Sequence, residues 1–446
     1  MKRSPIIRSF AILFAASLAV SGCGAFGSGE KKSKTPVLGE RLPVLNYEAK
    51  VEPDPDLAEL TVTLPEALAN DSWSQPGGNA AKSMGHLQLG ATLARAWTAS
   101  IGEGSTSGAR LNATPVVAGG RVFAMDTTAT VRSFDAKTGA PGWSTRLVKD
   151  GEKTKVAFGG GVSVAEGRVY AASGYGVAAA FDATTGAQVW RVDLGMPLRG
   201  APSIEGGRIY VLAQDNQMFA LSITDGKTLW DSSGTVEQTG LLGAGAPAVA
   251  LDTAVVGFSS GELNAVRVEN GRVVWQDALA RTGRSTALAA LADIDASPVI
   301  DRGRVFAIGH GGRMAALELA TGQRVWERNL AGTSTPWVAG DFVFAVTIDG
   351  ELVAVTRGEG KVKWVSQLPR WRNEEKKKDP IHWSGPVLAG DRLILTGTNG
   401  KIVSVSPYSG EILNQTEIDG IVYLPPIVAD GMLYVLTDEG RLSAFR

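Results

Sequence analysis

Few side chains in this sequence are of the types that act as nucleophiles, metal ligands or proton carriers. The chain of 446 residues has one cysteine, Cys23, and three histidines, His86, His310 and His382, which lie far apart in the sequence. A metal centre needs several ligands close together, and this spacing gives no sign of one. His310, within a Gly-His-Gly-Gly run, is either a ligand or a turn residue, and the second interpretation is favoured. No Ser-His-Asp arrangement and no phosphate-binding glycine loop stands out.

The context of the cysteine predicts lipid attachment. Basic residues at the start are followed by an apolar run from Ala11 to Val20 and then by Ser21-Gly22-Cys23, which is the order of an export signal that ends in a lipobox. The run is shorter than the roughly 20 residues of a membrane-spanning helix. We therefore expect residues 1–22 to be a removed signal peptide and Cys23 to carry the acyl chains that hold the protein on a membrane. The alternative is a buried free thiol.

Charge and cysteine count narrow the classes of partner and cofactor. Without Lys2, Arg3 and Arg8 of the signal peptide, 41 basic residues stand against 45 acidic ones, which argues against nucleic acid as a partner. A single cysteine allows no internal disulfide and no c-type haem. Gly24 after the cysteine is similar to lipoproteins of the outer membrane, so we expect a location on its periplasmic face.

The segment after the cysteine predicts a linker. Residues 23–89 are mainly polar, contain prolines and include the charged runs 30–34 and 52–56. This composition is typical of a chain with little stable structure. We expect residues 23–89 to be a flexible tether and the folded part to span residues 90–446.

A repeat dominates the rest of the sequence. Each unit contains short alternating strands and a glycine turn, usually followed four residues later by tryptophan, and successive turn glycines are about 38 to 51 residues apart, as in the blades of β-propellers. The turn glycines are Gly139, Gly186, Gly226, Gly271, Gly322, Gly360 and Gly410. The tryptophans of the repeat are Trp97, Trp143, Trp190, Trp230, Trp275, Trp326 and Trp364. These tryptophans could form a ring of ligand contacts, but packing between blades explains a fixed position in every unit better.

The two ends of the repeat predict how the ring closes. Residues 425–446 supply only three strands of a further unit, while residues 93–101 have the tryptophan-strand pattern without preceding strands. Pairing the two ends removes exposed sheet edges. We therefore predict an all-β, eight-bladed propeller of four-stranded antiparallel blades, closed by an N-terminal strand that pairs with the C-terminal strands.

The repeat resembles that of the quinoprotein-dehydrogenase-like propeller family. Within it, the chain is most similar to the BamB family, lipoproteins of the outer-membrane β-barrel assembly machine. The similarity includes the run 73–79 before the first blade, the loop with 283–286 and 291–298, and the loop with 240–243 and 246–247. The lipobox agrees with such a membrane-tethered role.

This resemblance implies a partner and a site. In the BamB family, acidic residues of the long loop and apolar and arginine residues of its neighbour contact the periplasmic POTRA domains of BamA. The matching positions are Asp293 and Asp295, and Leu241 and Leu242, where Leu242 replaces the arginine of the family. The resemblance implies a non-catalytic scaffold that docks BamA and other assembly-machine subunits and presents unfolded barrel precursors. The alternatives are that the aspartates cap their own turns and that the leucines pack between blades.

On this interpretation the two exposed leucines insert into an apolar groove of the partner, and the two carboxylates pair with basic groups at its rim. Replacing Asp293 and Asp295 with alanine should then weaken docking by about 1–3 kcal/mol and leave the fold intact.

Two other functions remain open at this stage. A dehydrogenase that uses pyrroloquinoline quinone and Ca²⁺ would need a calcium ligand set and, in the alcohol-oxidising relatives, an adjacent cysteine pair; the chain has no such pair and no evident set, so no cofactor is expected. A propeller that binds envelope polymers is the third possibility. The basic insertion 370–378 is interpreted as a solvated loop in preference to a contact with anionic headgroups or another subunit.

Overall fold

Short antiparallel strands make up nearly all of the regular structure. The computed structural model describes residues 51–149, 151, 158–236, 245–279 and 292–446, all within one compact unit, Lys50–Arg446. The signal peptide, Cys23, Leu241 and Leu242 lie outside the described residues. The described part contains a short 3-10 helix, Pro55–Leu57, and no helix that is long and apolar enough to cross a bilayer.

Within the described residues the strands form eight sheets of four, which we number as blades in chain order, and one small hairpin. Blade 1 is β2 (Val116–Ala118), β3 (Arg121–Met125), β4 (Thr130–Asp135) and β5 (Pro141–Arg146); blade 2 is β6 (Gly160–Ala165), β7 (Arg168–Ser173), β8 (Val177–Asp182) and β9 (Gln188–Asp193); blade 3 is β10 (Ser203–Glu205), β11 (Arg208–Leu212), β12 (Gln217–Ser222) and β13 (Thr228–Ser233); blade 4 is β14 (Ala248–Ala250), β15 (Thr253–Gly257), β16 (Glu262–Arg267) and β17 (Val273–Ala278). Blade 5 is β18 (Val299–Asp301), β19 (Arg304–Ile308), β20 (Met314–Glu318) and β21 (Arg324–Arg328); blade 6 is β22 (Trp337–Ala339), β23 (Phe342–Val346), β24 (Glu351–Thr356) and β25 (Val362–Gln367); blade 7 is β28 (Trp383–Ala389), β29 (Arg392–Gly397), β30 (Lys401–Val405) and β31 (Ile412–Glu417); blade 8 is β32 (Ile427–Ala429), β33 (Met432–Leu436), β34 (Arg441–Phe445) and β1 (Arg95–Ser100), and the hairpin is β26 (Trp371–Asn373) and β27 (Lys378–Pro380).

Blade 8 closes the ring with both ends of the folded chain. Strand β1 pairs antiparallel with β34, with Arg95 opposite Phe445 and Ser100 opposite Arg441. Beyond the strands, Ala94 and Arg446 exchange two backbone hydrogen bonds of 2.8 Å. The predicted all-β, eight-bladed fold and its closure by an N-terminal strand are confirmed.

The tryptophans of the repeat lie between neighbouring blades. Each sits on the outermost strand of one blade, and its indole Nε1 donates to a backbone carbonyl in the turn between the third and fourth strands of the next blade, over 2.8 to 3.1 Å. The glycine of that turn lies under the indole, where an added Cβ would be 2.5 to 2.8 Å from ring atoms. The Gly-to-Trp repeat in the sequence is therefore a repeated contact between blades.

Blade 7 shows why the repeat lacks an eighth tryptophan. Its outermost strand, β31, carries Asn414 at the corresponding position. The next blade, blade 8, has no turn between its third and fourth strands, because its fourth strand, β1, comes from the N-terminal side of the chain. An indole at residue 414 would have no turn carbonyl and no glycine to contact.

This contact predicts unequal effects for two glycines of blade 2. Gly186 (φ +75°) would place a Cβ 2.5 Å from Trp143 Cδ2, whereas Gly167 (φ +70°) has nothing within 4 Å. Gly167→Ala should lower the free energy of unfolding by about 1 kcal/mol from backbone strain alone. Gly186→Ala adds a clash with the indole and should cost about 3 kcal/mol in urea titrations. Equal losses for the two variants would contradict the proposed role of the turn glycine.

The propeller has two different faces. The connections from the outermost strand of one blade to the innermost strand of the next, together with the turns between second and third strands, lie on one face, which we call the loop face. The turns between first and second strands and, in blades 1 to 7, between third and fourth strands lie on the opposite face, because the strands are antiparallel. Asp293, Asp295 and the hairpin β26–β27 belong to the loop face.

Residues 51–90, which we call the strap, differ from the expected flexible tether. Asp54 N donates to Val362 O on the outermost strand of blade 6 over 2.7 Å. Further along, Pro65 O lies 2.8 Å from His86 Nδ1, and His86 Nε2 accepts from Asp391 N in blade 7 over 3.1 Å. For residues 51–89, the tether assigned from composition is replaced by a segment bound to the propeller.

The strap then contacts the innermost strands of all eight blades in circular order. The contacts run from Asn70 with blade 8 to Trp73 with blade 1, Ser74 with blade 2, Gln75 with blade 3, Ala80 with blade 4, Ala81 with blade 5, Gly85 with blade 6 and Leu87 with blade 7. Most of these are backbone hydrogen bonds of 2.7 to 3.2 Å. They satisfy polar groups at the inner strands, so the strap closes the end of the central channel opposite the loop face.

Candidate functional site

Asp293 and Asp295 lie on the connection between blades 4 and 5. The connection is held by backbone hydrogen bonds from Ile294 N to Phe258 O (3.1 Å) and from His310 N to Asp293 O (2.9 Å). Because side chains alternate along an extended segment, Ile294 packs into the core while the two aspartates share the other side. The backbone thus brings both predicted carboxylates to one place.

The structure places these carboxylates inside the protein and not at its surface. Asp293 is fully buried, and 7% of the Asp295 side chain is exposed. Both Oδ1 atoms approach Nη2 of Arg199, at 3.7 Å from Asp293 and 3.5 Å from Asp295. Pairing of these carboxylates with a partner's basic groups would require exposed side chains. Instead, both are buried beside a cation of the same chain.

Arg199 belongs to the connection between blades 2 and 3, so the cluster joins distant parts of the ring. Its Nη1 also donates to Asn216 Oδ1 over 3.4 Å. That oxygen accepts from Ser259 N (3.2 Å) and Oγ (3.0 Å) as well. Charged and polar groups from blades 2 to 5 are thus tied into one buried network on the loop face.

Burial dominates the electrostatics of the cluster. The pKa of Asp295 is raised to about 6, foremost by burial and then by the negative charge of Asp293, while Arg199 acts in the opposite direction. Because removing one member of such a group leaves unbalanced buried charge, the cluster should be intolerant of single substitutions.

The loop that carries Leu241 and Leu242 returns beside this cluster. Both leucines lie outside the described residues, but Gly245, the first described residue after them, is packed against Asp295: a Cβ on Gly245 would be 2.9 Å from Asp295 O. Ala246 N then donates to Ser297 Oγ over 2.9 Å. The described end of this loop, Gly245 and Ala246, therefore contacts the segment that carries Asp295.

Sequence reasoning missed Arg199. Its signal is a single cation within the apolar and glycine-containing run Met196–Pro202, with no acidic residue in that run. A buried arginine in such a setting requires a distant anion, but the run does not identify Asp293 or Asp295 as that anion.

The histidines do not form a metal site in the part of the chain that the structure describes. No group of three or more His, Cys, Asp or Glu side chains there could hold a metal ion. His86 binds the strap to blade 7, and His382 lies beside Tyr423 with ring centroids 6.1 Å apart.

Comparison with known proteins identifies the family. The family model described as outer membrane protein assembly factor BamB matches residues 127–366 and 369–446. The chain belongs to the BamB family. The outer membrane protein assembly factor BamB of Yersinia pestis is 27% identical over 359 residues, covering 79% of this chain and 88% of that relative.

Solved structures share the fold. The crystal structure of BamB from Moraxella catarrhalis superposes with a TM-score of 0.67 at 21% identity, covering 80% of this chain and 100% of that one. The quinohemoprotein alcohol dehydrogenase of Comamonas testosteroni gives a TM-score of 0.63 at 14% identity, covering 85% of this chain and 81% of that enzyme. An enzyme and an assembly factor have the same propeller, so the fold alone does not assign an activity. The resemblance to the BamB family inferred from the sequence is confirmed.

Proposed function

We propose that this chain is a non-catalytic scaffold subunit of the outer-membrane β-barrel assembly machine. Acyl chains on Cys23 hold it at the periplasmic face of the outer membrane, and the loop face docks the POTRA domains of a BamA-like partner. Membership of the BamB family supports the assembly role. The packing of Gly245, three residues after Leu242, against Asp295 supports the assignment of the site.

In this proposal the buried cluster positions the docking loops and the leucines supply the contact. Arg199, Asp293 and Asp295 fix the connection between blades 4 and 5, against which the loop with Leu241 and Leu242 ends. Preorganised loops lose less conformational freedom on binding. Two leucines between glycines then fill an apolar groove of the partner, where buried contacts contribute most to affinity.

A binding measurement with the mature lipoprotein in detergent and purified POTRA domains tests the site. Leu241→Ala combined with Leu242→Ala should weaken binding by about tenfold or more. The control is Leu251→Ala, because Leu251 is 86% exposed in the first turn of blade 4, on the face away from the loops. Unchanged affinity of the double variant would exclude these leucines. Retention on peptidoglycan in the absence of any partner would favour a polymer-binding function instead.

A second part of the proposal concerns unfolded barrel precursors, which we expect to add to the outer edges of the blades. The edge of β25 already accepts an extended segment, since Asp54 N donates to Val362 O. Strand β31 is exposed along most of its length, and Leu413 is 55% exposed there. Exposed strand edges accept further strands through backbone hydrogen bonds. A photo-crosslinking residue at position 413 should capture precursors more than one at position 251 does.

A further inference from the structure

A cavity of about 520 Å³ lies at the centre of the ring. Its lining includes strap residues Trp73 and Lys82, which are 3% and 2% exposed, and loop-face residues such as Arg110 and Tyr423, which are close to half exposed. The strap therefore forms a closed floor, and the mouth opens on the loop face. We call this cavity the cup.

The floor of the cup carries a buried lysine. Lys82 Nζ donates to Ser203 Oγ over 2.9 Å, and Ser203 Oγ donates to Pro247 O over 2.6 Å. The stem of Lys82 crosses Gly77, where a Cβ would be 2.9 Å from Lys82 Cδ, so a glycine is needed to admit the lysine. Burial lowers the pKa of Lys82 to about 7. A floor made only for packing would not need an amine at this position.

The other charged groups of the lining have partners within the chain. Arg110 Nη1 lies 3.0 Å from Asp438 Oδ2, and Asp295 is paired with Arg199. No carboxylate of the described residues forms an ion pair with Lys82. An ammonium group has three donors, of which one is used here. An anion near the floor would pair with the charged form of Lys82 and use its remaining donors.

The rest of the lining indicates which chemical groups the ligand carries besides its anion. Trp73 and Trp337 are stacked with ring centroids 6.1 Å apart, and most of the remaining surface is apolar, with hydroxyl groups such as Thr335 and Ser384. Enclosed apolar pockets with one charged group bind amphipathic molecules whose charged end pairs with that group. A fully hydrated inorganic anion would gain little from the aromatic walls.

We propose that the cup binds a carboxylate with an apolar or aromatic body, the carboxylate pairing with Lys82 and the body packing against the tryptophans and Tyr423. The same chemistry is presented by a small free acid and by the C-terminus of an apolar polypeptide. This proposal does not depend on the contact of Leu241 and Leu242 with a docking partner, so either can fail without the other.

Calorimetric titration of the mature lipoprotein tests the site with 4-phenylbutyrate as the probe. We expect saturable binding of one molecule per chain, with at least tenfold weaker binding of the neutral analogue 4-phenylbutanol. Lys82→Met should weaken the acid by a similar factor, whereas Lys227→Met, at a lysine whose side chain is 81% exposed on the other face, should leave it unchanged. A tripeptide Leu-Val-Leu with a free C-terminus, compared with its amide, shows whether a polypeptide end also enters.

Two results would overturn the proposal. The first is the absence of saturable binding for both the free acid and the free tripeptide. The second is equal affinity for 4-phenylbutyrate and 4-phenylbutanol. This comparison uses only the wild-type protein, so it is valid even if Lys82→Met is poorly folded. Binding of phenylbutyrate alone supports a small acid as the occupant, and binding of the tripeptide but not its amide supports a polypeptide end.

Discussion

Arg199→Met is expected to lower the free energy of unfolding by about 3 to 5 kcal/mol. The substitution keeps most of the side-chain volume but removes the cation that lies 3.7 Å from Asp293 and 3.5 Å from Asp295. Both carboxylates are buried and would then lose this cation. Urea titration followed by tryptophan fluorescence measures the loss.

Two control variants separate buried charge from other effects of the substitution. Removing all three charges, with Arg199→Met, Asp293→Asn and Asp295→Asn, should restore stability to within about 1 kcal/mol of the wild type, because no unbalanced charge remains. Arg267→Met removes an exposed arginine paired with Asp252 and should cost less than about 1 kcal/mol. If the triple variant is as unstable as Arg199→Met, packing of the arginine and not its charge is responsible.

The loss from Arg199→Met should also depend on pH. The pKa of Asp295 is raised to about 6 in the wild type, foremost by burial, and removing the arginine raises it further. A carboxyl group with a raised pKa holds more protons in the folded than in the unfolded state, so the variant gains stability as pH falls. Titrations at pH 8 and pH 5 should therefore show the larger difference from the wild type at pH 8.

The blades could be predicted because each one carries its own marker. A turn glycine and a tryptophan recur within one unit, and the contact between them repeats from blade to blade, as in Gly186 with Trp143. Even the missing tryptophan at Asn414 follows from the ring closure, since blade 8 has no turn to receive it. Local spacing was sufficient for this part of the fold.

The strap could not be predicted from composition. Its contacts with the ring are mainly backbone hydrogen bonds, such as Val249 N to Ala80 O, and these do not require apolar residues. A polar, proline-containing segment therefore has the composition of a tether although it is bound to all eight blades. The available signal was Trp73, because a large aromatic residue is unusual in a flexible linker.

The burial and pairing of Asp293 and Asp295 depend on contacts that cannot be inferred from the spacing of residues in the sequence. Arg199 and Asp295 are 96 residues apart and belong to connections of different blades. The resemblance to a family selected Asp293 and Asp295 as a pair, but only the three-dimensional arrangement shows that they are buried with a cation. This changes the expected effect of their substitution from an intact fold to a destabilised one.

Lys82→Met is expected to raise the free energy of unfolding by about 3 kcal/mol at pH 7. Burial lowers the pKa of Lys82 from 10.5 to about 7, so folding at neutral pH either buries a charge or releases a proton. Methionine has a similar stem and carries no charge. The expected gain is smaller than the full pKa shift implies, because the variant also loses the hydrogen bond to Ser203 Oγ. Urea titration at several pH values measures it.

The gain should follow the titration of the amine. Between pH 7 and pH 10.5 the unfolded chain holds a proton that the folded protein has lost, so this lysine makes wild-type stability rise with pH across that window. The advantage of Lys82→Met should therefore be greatest at or below pH 7 and disappear near pH 10, while Lys227→Met, at an exposed lysine, should show neither effect. A variant that is less stable than the wild type at pH 7 would show that the lysine contributes to the fold. A more stable variant that no longer binds phenylbutyrate would show that the protein retains a destabilising buried amine for the sake of a ligand.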